Sequence, residues 1–209
     1  IDTLLSSYDS LNYYKRFLQA GFMSMDPRTG YIKAWVGGIN HEYFKFDHVQ
    51  QGKRQPGSTF KPIVYTAAIA NGYSPCFPVV DAPVSFSLPG QDTPTWVPQN
   101  SNGKFTGEVM TIRQAMAQSV NSITAFMMNR IGPSTVVDYA KKLGIESQLD
   151  AVPSLCLGAG GDVSIYEMVG AYSTFVNKGT HIKPFFISRI EDKNGNVIQQ
   201  FVPDEQEAI

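Results

Sequence analysis

Along the 209-residue chain the apolar positions change period several times, and each change marks a predicted element. Leu4, Leu5, Tyr8, Leu11 and Leu18 recur at approximate helical spacing and predict an opening helix packed on a sheet. Phe22 to Met25 and Tyr31 to Val36 then flank Asp26-Pro27-Arg28-Thr29-Gly30, whose proline and glycine predict a tight hairpin turn. Gly37-Gly38 ends the second strand, and a polar connection runs to Pro56. Ile63, Val64, Tyr65 and the stretch Ala67 to Ala70 form an apolar run closed by Asn71-Gly72, a helix stop signal. Proline is tolerated only near a helix start, so Pro62 puts the start of this helix at about Ser58.

From Tyr73 to Val109 the pattern breaks down. Pro75, Pro78, Pro83, Pro89, Pro94 and Pro98 leave little room for regular structure, and a loop of that length inside a compact domain is often functional. Helical spacing returns with Thr111, Ile112, Ala115 and Met116, is interrupted at Ser119-Val120-Asn121, and resumes through Ile123, Met127 and Ile131. Ser134 is read as the cap of a short helix with Val136, Val137, Ala140 and Leu143 inward and Gly144 at its stop. The glycines of Leu157 to Gly161 lack the spacing of phosphate or dinucleotide loops and point to a turn or close packing. Ser164 and Glu167 form a capping box for the next helix, which makes Glu167 a cap rather than a catalyst. Asn194-Gly195 predicts a closing hairpin, and the acidic tail after Pro203 is expected to fray.

Composition narrows the class. With 43% hydrophobic and 17% charged residues the chain is long enough for one sizeable core, so one domain is the default. A net charge of −1 without a basic run argues against nucleic acid as the main partner. No apolar stretch approaches the roughly 18 residues of a membrane span. The start at Ile1 suggests a processed or excised piece. Cys76 and Cys156 fit no metal spacing and are read as buried free thiols, with a disulfide the alternative in an oxidising compartment, and His41, His48 and His181 lack ligand partners, so no metal or cofactor is expected.

The chemistry concentrates at Gly57-Ser58-Thr59-Phe60-Lys61-Pro62. Residues three apart share a helix face, so Lys61 can bring its amine to the hydroxyl of Ser58. A serine hydroxyl is a weak nucleophile until a base takes its proton, and burial favours the neutral lysine that base must be. The spacing alone is weak, since roughly one S-x-x-K is expected by chance in a chain of this size. Ser101-Asn102-Gly103-Lys104 is such a match, but its Asn-Gly marks a turn. Taken singly, Ser58 reads first as a helix cap beside a solvated lysine, and Ser119 and Asn121 first as plain caps. Trp96, with Pro98 and Asn100, either lines a cleft or pins the long loop to the core.

As a set, and in this order, Gly57 to Pro62, Trp96-x-Pro98-x-Asn100 and Ser119-Val120-Asn121 resemble the transpeptidase domain of class A (bifunctional) penicillin-binding proteins. Asp26 to Gly38 and Leu157 to Gly179 are also similar to family segments, so the likeness covers most of the chain. The resemblance implies an α+β fold of the serine β-lactamase and transpeptidase type: an antiparallel sheet flanked by helices with a helical subdomain, here incomplete. It implies peptidoglycan cross-linking outside the cytoplasm, with stem peptides ending in D-Ala-D-Ala as substrate and β-lactams as inhibitors. Ser58 would be the nucleophile, Lys61 its base, Ser119 the proton donor to the leaving amine, and Asn121 and Trp96 substrate contacts. The family's Lys-Thr-Gly motif occurs nowhere in the sequence. The 209 residues are therefore expected to be one domain fragment, without the family's glycosyltransferase domain or membrane anchor, and weak or inert in isolation. A serine β-lactamase and a non-enzymatic β-lactam sensor or wall-binding module are the rival readings.

Overall fold

In the computed structural model, which describes residues 4–87 and 95–209, the helical segment carrying Ser58 and Lys61 is buried where two apolar clusters meet, with the helices that follow it in the chain packed against it. Helix α1 (Ser7–Lys15) leads to the antiparallel hairpin β1 (Phe22–Met25) and β2 (Ile32–Val36), with Phe22 opposite Val36. The short strand β3 (Lys53–Arg54) precedes a 3-10 turn, Gly57–Phe60, which runs directly into α2 (Lys61–Ala70) with Pro62 in its first turn. The proline-rich stretch contains more order than its composition suggests: β4 (Pro78–Val80), β5 (Phe86–Ser87) and β6 (Thr95–Trp96). Pro89 and Pro94 lie outside the described residues.

Next come β7 (Val109–Thr111), α3 (Ile112–Ala117), α4 (Asn121–Ile131), α5 (Pro133–Lys142) and a 3-10 turn, Pro153–Leu157. The chain closes with β8 (Val163–Ser164), α6 (Ile165–Val176), β9 (Thr180–Ile182), the hairpin β10 (Arg189–Glu191) and β11 (Val197–Gln200), and β12 (Glu205–Glu207). The described strands pair in antiparallel twos: β1 with β2, β3 with β8, β4 with β7, β5 with β6, β9 with β12, and β10 with β11. Two apolar clusters meet at α2. Phe60, Ile63, Val64 and Ala67 face Ala125, Leu155 and Cys156, whereas Tyr65 and Ala68 face Ile112, Ile123 and Met127. A helix apolar on nearly every side is a buried helix. Across it the Tyr65 and Thr124 hydroxyls hydrogen-bond at 3.0 Å, and burial pushes the tyrosine pKa up to about 12. The segment carrying Ser58 and Lys61 thus rests on a buried helix packed on two sides.

Several expectations are corrected. The apolar residues of α1 are exposed rather than packed on a sheet; Tyr14 meets Phe44 edge-on, and Phe17, just beyond the helix, meets the same ring tilted. Periodicity reports that a face is apolar, not what covers it. Ser134 is not a cap, because Pro133 occupies the first turn of α5 and Gly132, at φ 82°, precedes it. The tail after Pro203 does not fray: Glu205 to Glu207 pair with Ile182 to Thr180. The ladder needs only backbone groups, so acidic side chains at its edge do not forbid it. Cys76 is exposed, whereas Cys156 is buried and both are free.

The capping box at α6 forms as read. Glu167 accepts hydrogen bonds from Ser164 N and Oγ at 2.9 and 2.6 Å, and also from Ser147 N and Oγ at 2.6 and 2.8 Å, so it ties α6 to the loop after α5. Burial alone would raise its pKa, but these hydrogen bonds outweigh it and hold the carboxyl below its ordinary range. A depressed carboxyl stabilises the fold above its unfolded pKa, and that contribution is lost as pH falls through the folded value. Replacing Glu167 by glutamine removes acceptors from charge-assisted bonds and is expected to cost roughly 1.5–3 kcal/mol. Urea unfolding at neutral and acidic pH checks this: the loss should be present at neutral pH and shrink in acid. An unchanged midpoint at neutral pH would rule out the tie.

Candidate active site

Gly57 makes the turn that presents Ser58. Its φ of 58° lies in the left-handed region that glycine adopts without strain. The turn is fixed from three sides. Thr59 Oγ1 donates to the Pro56 carbonyl at 2.6 Å, Phe60 is fully buried beneath, and the Tyr172 hydroxyl of α6 donates to the Thr59 carbonyl at 2.7 Å. Gly158, itself at φ 74°, approaches from behind so closely that a Cβ there would stand 2.5 Å from Gly57 N. Ser58 is left exposed on top, and Lys61, one turn on, is only 2% exposed.

Lys61 points at the junction of α3 and α4. Its Nζ donates to the Ser119 carbonyl at 2.6 Å, to Ser119 Oγ at 3.0 Å and to Asn121 Oδ1 at 2.6 Å. Among the described residues no carboxylate lies within ion-pair distance of it. Burial lowers its pKa from the ordinary 10.5, with nearby Cys156 opposing. The opposition is weak in practice: burial pushes the Cys156 thiol up to about 12, so at neutral pH the thiol offers no counter-charge. Ser119 holds the rarely used backbone φ of 55°, a strained conformation of the kind found where side chains must be aimed.

Around this cluster the loop Trp96 to Asn100 supplies a frame. Asn121 Nδ2 donates to the Gln99 carbonyl at 2.7 Å, and Asn100 Oδ1 accepts from Asn121 N and Ser122 N, both at 3.0 Å. Asn100 thereby caps α4, which has no cap of its own from Val120. Of the residues singled out from sequence, the structure brings Lys61, Ser119 and Asn121 into direct contact, with Ser58 on the adjoining turn. Trp96 stands apart from these hydrogen bonds, half-buried against Phe86 at 5.6 Å between ring centroids. Asp81, Gln99 and Tyr172 were not legible as site residues; Asp81 is one of three acids in the proline-rich stretch, with no motif around it, and Gln99 acts through its backbone. A separate polar cleft of about 400 Å³ near Glu167, His181 and Lys183 includes none of the cluster. Among the described residues no group of three His, Cys, Asp or Glu is placed to hold a metal.

The architecture, α+β with short antiparallel sheets beside a helical core, is that of the serine β-lactamase and transpeptidase type. The structure of penicillin-binding protein 1A from Haemophilus influenzae matches it with a TM-score of 0.81 at 31% identity, over 90% of this chain and 28% of that one. The PonA1 protein from Mycobacterium tuberculosis, solved in complex with penicillin V, shares the fold with a TM-score of 0.75 at 24% identity, over 92% of this chain and 54% of that one. Residues 20–208 match the penicillin binding protein transpeptidase domain, and the chain belongs to that family. Penicillin-binding protein 2D of Bacillus subtilis is 38% identical over 88% of this chain, which spans 26% of that relative's length. No helix among the described residues is long and apolar enough to cross a membrane.

Proposed function

We propose that this chain carries the acyl-transfer site of a peptidoglycan D,D-transpeptidase that works on the outer side of the cytoplasmic membrane, with Ser58 as nucleophile. The observation that carries the reading is Lys61: a buried amine without a counter-ion among the described residues, held by Ser119 and Asn121 one turn from an exposed serine. The resting ammonium has three N–H groups and three acceptors. When Lys61 is neutral, its two remaining N–H groups stay with the Ser119 carbonyl and Asn121 Oδ1, which can only accept. Its lone pair is then free for a hydroxyl proton, and Ser119 Oγ, which can donate or accept, is the partner able to change role.

Ser58 Oγ attacks the carbonyl of the penultimate D-Ala while its proton passes to Lys61 Nζ. The Ser58 N–H, in the first turn of its helix where no intrahelical acceptor exists, is one donor to the developing oxyanion. As the C–N bond breaks, Ser119 Oγ gives its proton to the leaving D-Ala amine and takes one from Lys61 across their 3.0 Å hydrogen bond. Lysine is neutral again and the acyl group is on Ser58. An amine from a neighbouring stem peptide reverses these transfers and carries the acyl group away. Asn121 holds the substrate amide as well as Lys61, and Trp96 forms part of the cleft wall. A β-lactam presents a strained amide in the same place and leaves Ser58 acylated.

The test is the mass of the intact protein after exposure to benzylpenicillin, followed by digestion to locate the adduct. One adduct, on the peptide containing Ser58, is expected. A protein that stays unlabelled, or is labelled elsewhere, sinks the assignment. The sequence holds no Lys-Thr-Gly, the family's source of a further oxyanion donor. The 209 residues alone are therefore expected to acylate slower by about 10²–10³-fold, the cost of losing one such donor.

A further inference from the structure

Asp81 is 2% exposed and takes part in no ion pair among the described residues. Four neutral donors surround it. Oδ2 accepts from Thr106 N at 2.9 Å and Thr106 Oγ1 at 3.0 Å; Oδ1 accepts from Asn100 Nδ2 at 2.8 Å and Ser122 Oγ at 2.6 Å. Burial works against its charge, yet these bonds hold its pKa below the ordinary value, so it is a carboxylate that can only accept. An obligate acceptor settles which way a neighbouring amide faces. Asn100 must turn its Nδ2 to Asp81, which leaves Oδ1 for the N–H groups of Asn121 and Ser122. The loop so anchored brings the Gln99 carbonyl, another obligate acceptor, to Asn121 Nδ2, and this turns Asn121 Oδ1 to Lys61.

We infer that Asp81 is the positioning residue of the acyl-transfer site, setting the orientation of Asn100 and through it that of Asn121 and the Lys61 amine. The inference rests on the transpeptidase reading above. Asp81 touches no reacting atom; its role is to make one amide arrangement the only one available.

The chain of donors predicts the effect of Asp81→Asn. Thr106 N can only donate, so the amide oxygen must stay with it, and the new NH2 group faces the NH2 group of Asn100. Asn100 then flips or withdraws, and its capping of α4 and the placement of Gln99 are lost. Asn100→Asp sets two carboxylates against each other instead. The double change Asp81→Asn with Asn100→Asp restores a donor and an acceptor with polarity reversed. The carboxylate introduced at position 100 keeps acceptors for Asn121 N and Ser122 N, and Ser122 Oγ turns to accept. Two native contacts are not restored: that from residue 100 to the Lys104 carbonyl, at 3.0 Å, and the acceptor for the Ser122 hydroxyl proton, which Asp81 supplies at 2.6 Å.

The experiment is rapid-mixing acylation of the intact protein by benzylpenicillin, resolving non-covalent affinity from the acylation rate constant. Each single change is expected to lower the rate constant by roughly 10- to 100-fold, the scale of a misplaced catalytic group, with affinity little changed. The exchanged pair should recover to within about tenfold of the native value. A single variant acylating at the native rate overturns the inference, as does an exchanged pair no better than the singles. If a single variant does not fold, the exchanged pair decides alone by the same criterion. A native protein that is not labelled at all sinks the transpeptidase reading itself, whereas native labelling with an indifferent Asp81→Asn sinks only the role of Asp81.

Discussion

Replacing Lys61 by methionine is expected to slow acylation of Ser58 by about 10²–10⁴-fold, the range a positioned general base supplies. Methionine is unbranched, like lysine, and suits the same buried position near Cys156. The acceptors it abandons, Ser119 and Asn121, lie at least partly in reach of water, so the fold should survive with its unfolding midpoint little moved. That combination separates a base from a structural lysine. The pH profile adds a second reading. The base must be neutral, so the native rate climbs with pH as Lys61 loses its proton. Burial places that climb below pH 10.5, where an ordinary lysine would put it. In Lys61→Met the climb should vanish. A variant with the native rate and the native profile would show that some other group takes the proton.

Changing Gly158 to alanine is expected to damage both stability and reactivity, although this residue lies far from Ser58 in sequence. Its Cβ would stand 2.5 Å from Gly57 N and 2.8 Å from Gly57 Cα, and both are backbone atoms that cannot swing aside. The residue also sits at φ 74°, which for a side-chain-bearing residue costs about 1–2 kcal/mol. Overpacking adds about 1–3 kcal/mol, so a total loss of about 2–5 kcal/mol is expected in urea unfolding. Relief of the clash moves Gly57 and carries Ser58 with it; a displacement near 1 Å is enough for about a 100-fold loss of acylation rate. Gly195→Ala is the control, because its φ of 85° is as demanding but nothing lies within 4 Å. It should lose stability modestly and acylation not at all. If the two glycine variants behave alike, the contact behind Gly57 does not support the nucleophile.

Some of this was written plainly in the residues. Pro62 and the apolar run behind it located the helix that carries Lys61; the structure starts the α-helix at Lys61 and puts Ser58 on the 3-10 turn that leads into it, rather than starting the helix at about Ser58. The Ser164 and Glu167 box and the Asp26 to Gly30 turn are local signals, complete within a few residues, and they formed as read. Ser119 and Asn121 stood out only as polar residues at a break between apolar helices; it took the fold to bring them to Lys61. Asp81 and Tyr172 carry no local signal, since each acts on a partner that only tertiary structure brings near. The same reasoning explains the misread ends of the chain. Helical spacing in α1 could not disclose what lies against it, and the acidic β12 is held by backbone pairing, to which side-chain character is nearly blind.

The contact of Gly158 with Gly57 also has a meaning in time. Translation makes Ser58 and Lys61 early and Gly158 late. Ser119 and Asn121 emerge between them, but the turn that presents Ser58 lacks its contact with Gly158 until that second glycine is made and the intervening helices have docked. Contacts between parts so distant in sequence form late, because the loop between them must close before they contribute. A nascent chain thus already contains its serine and lysine while remaining chemically unarmed.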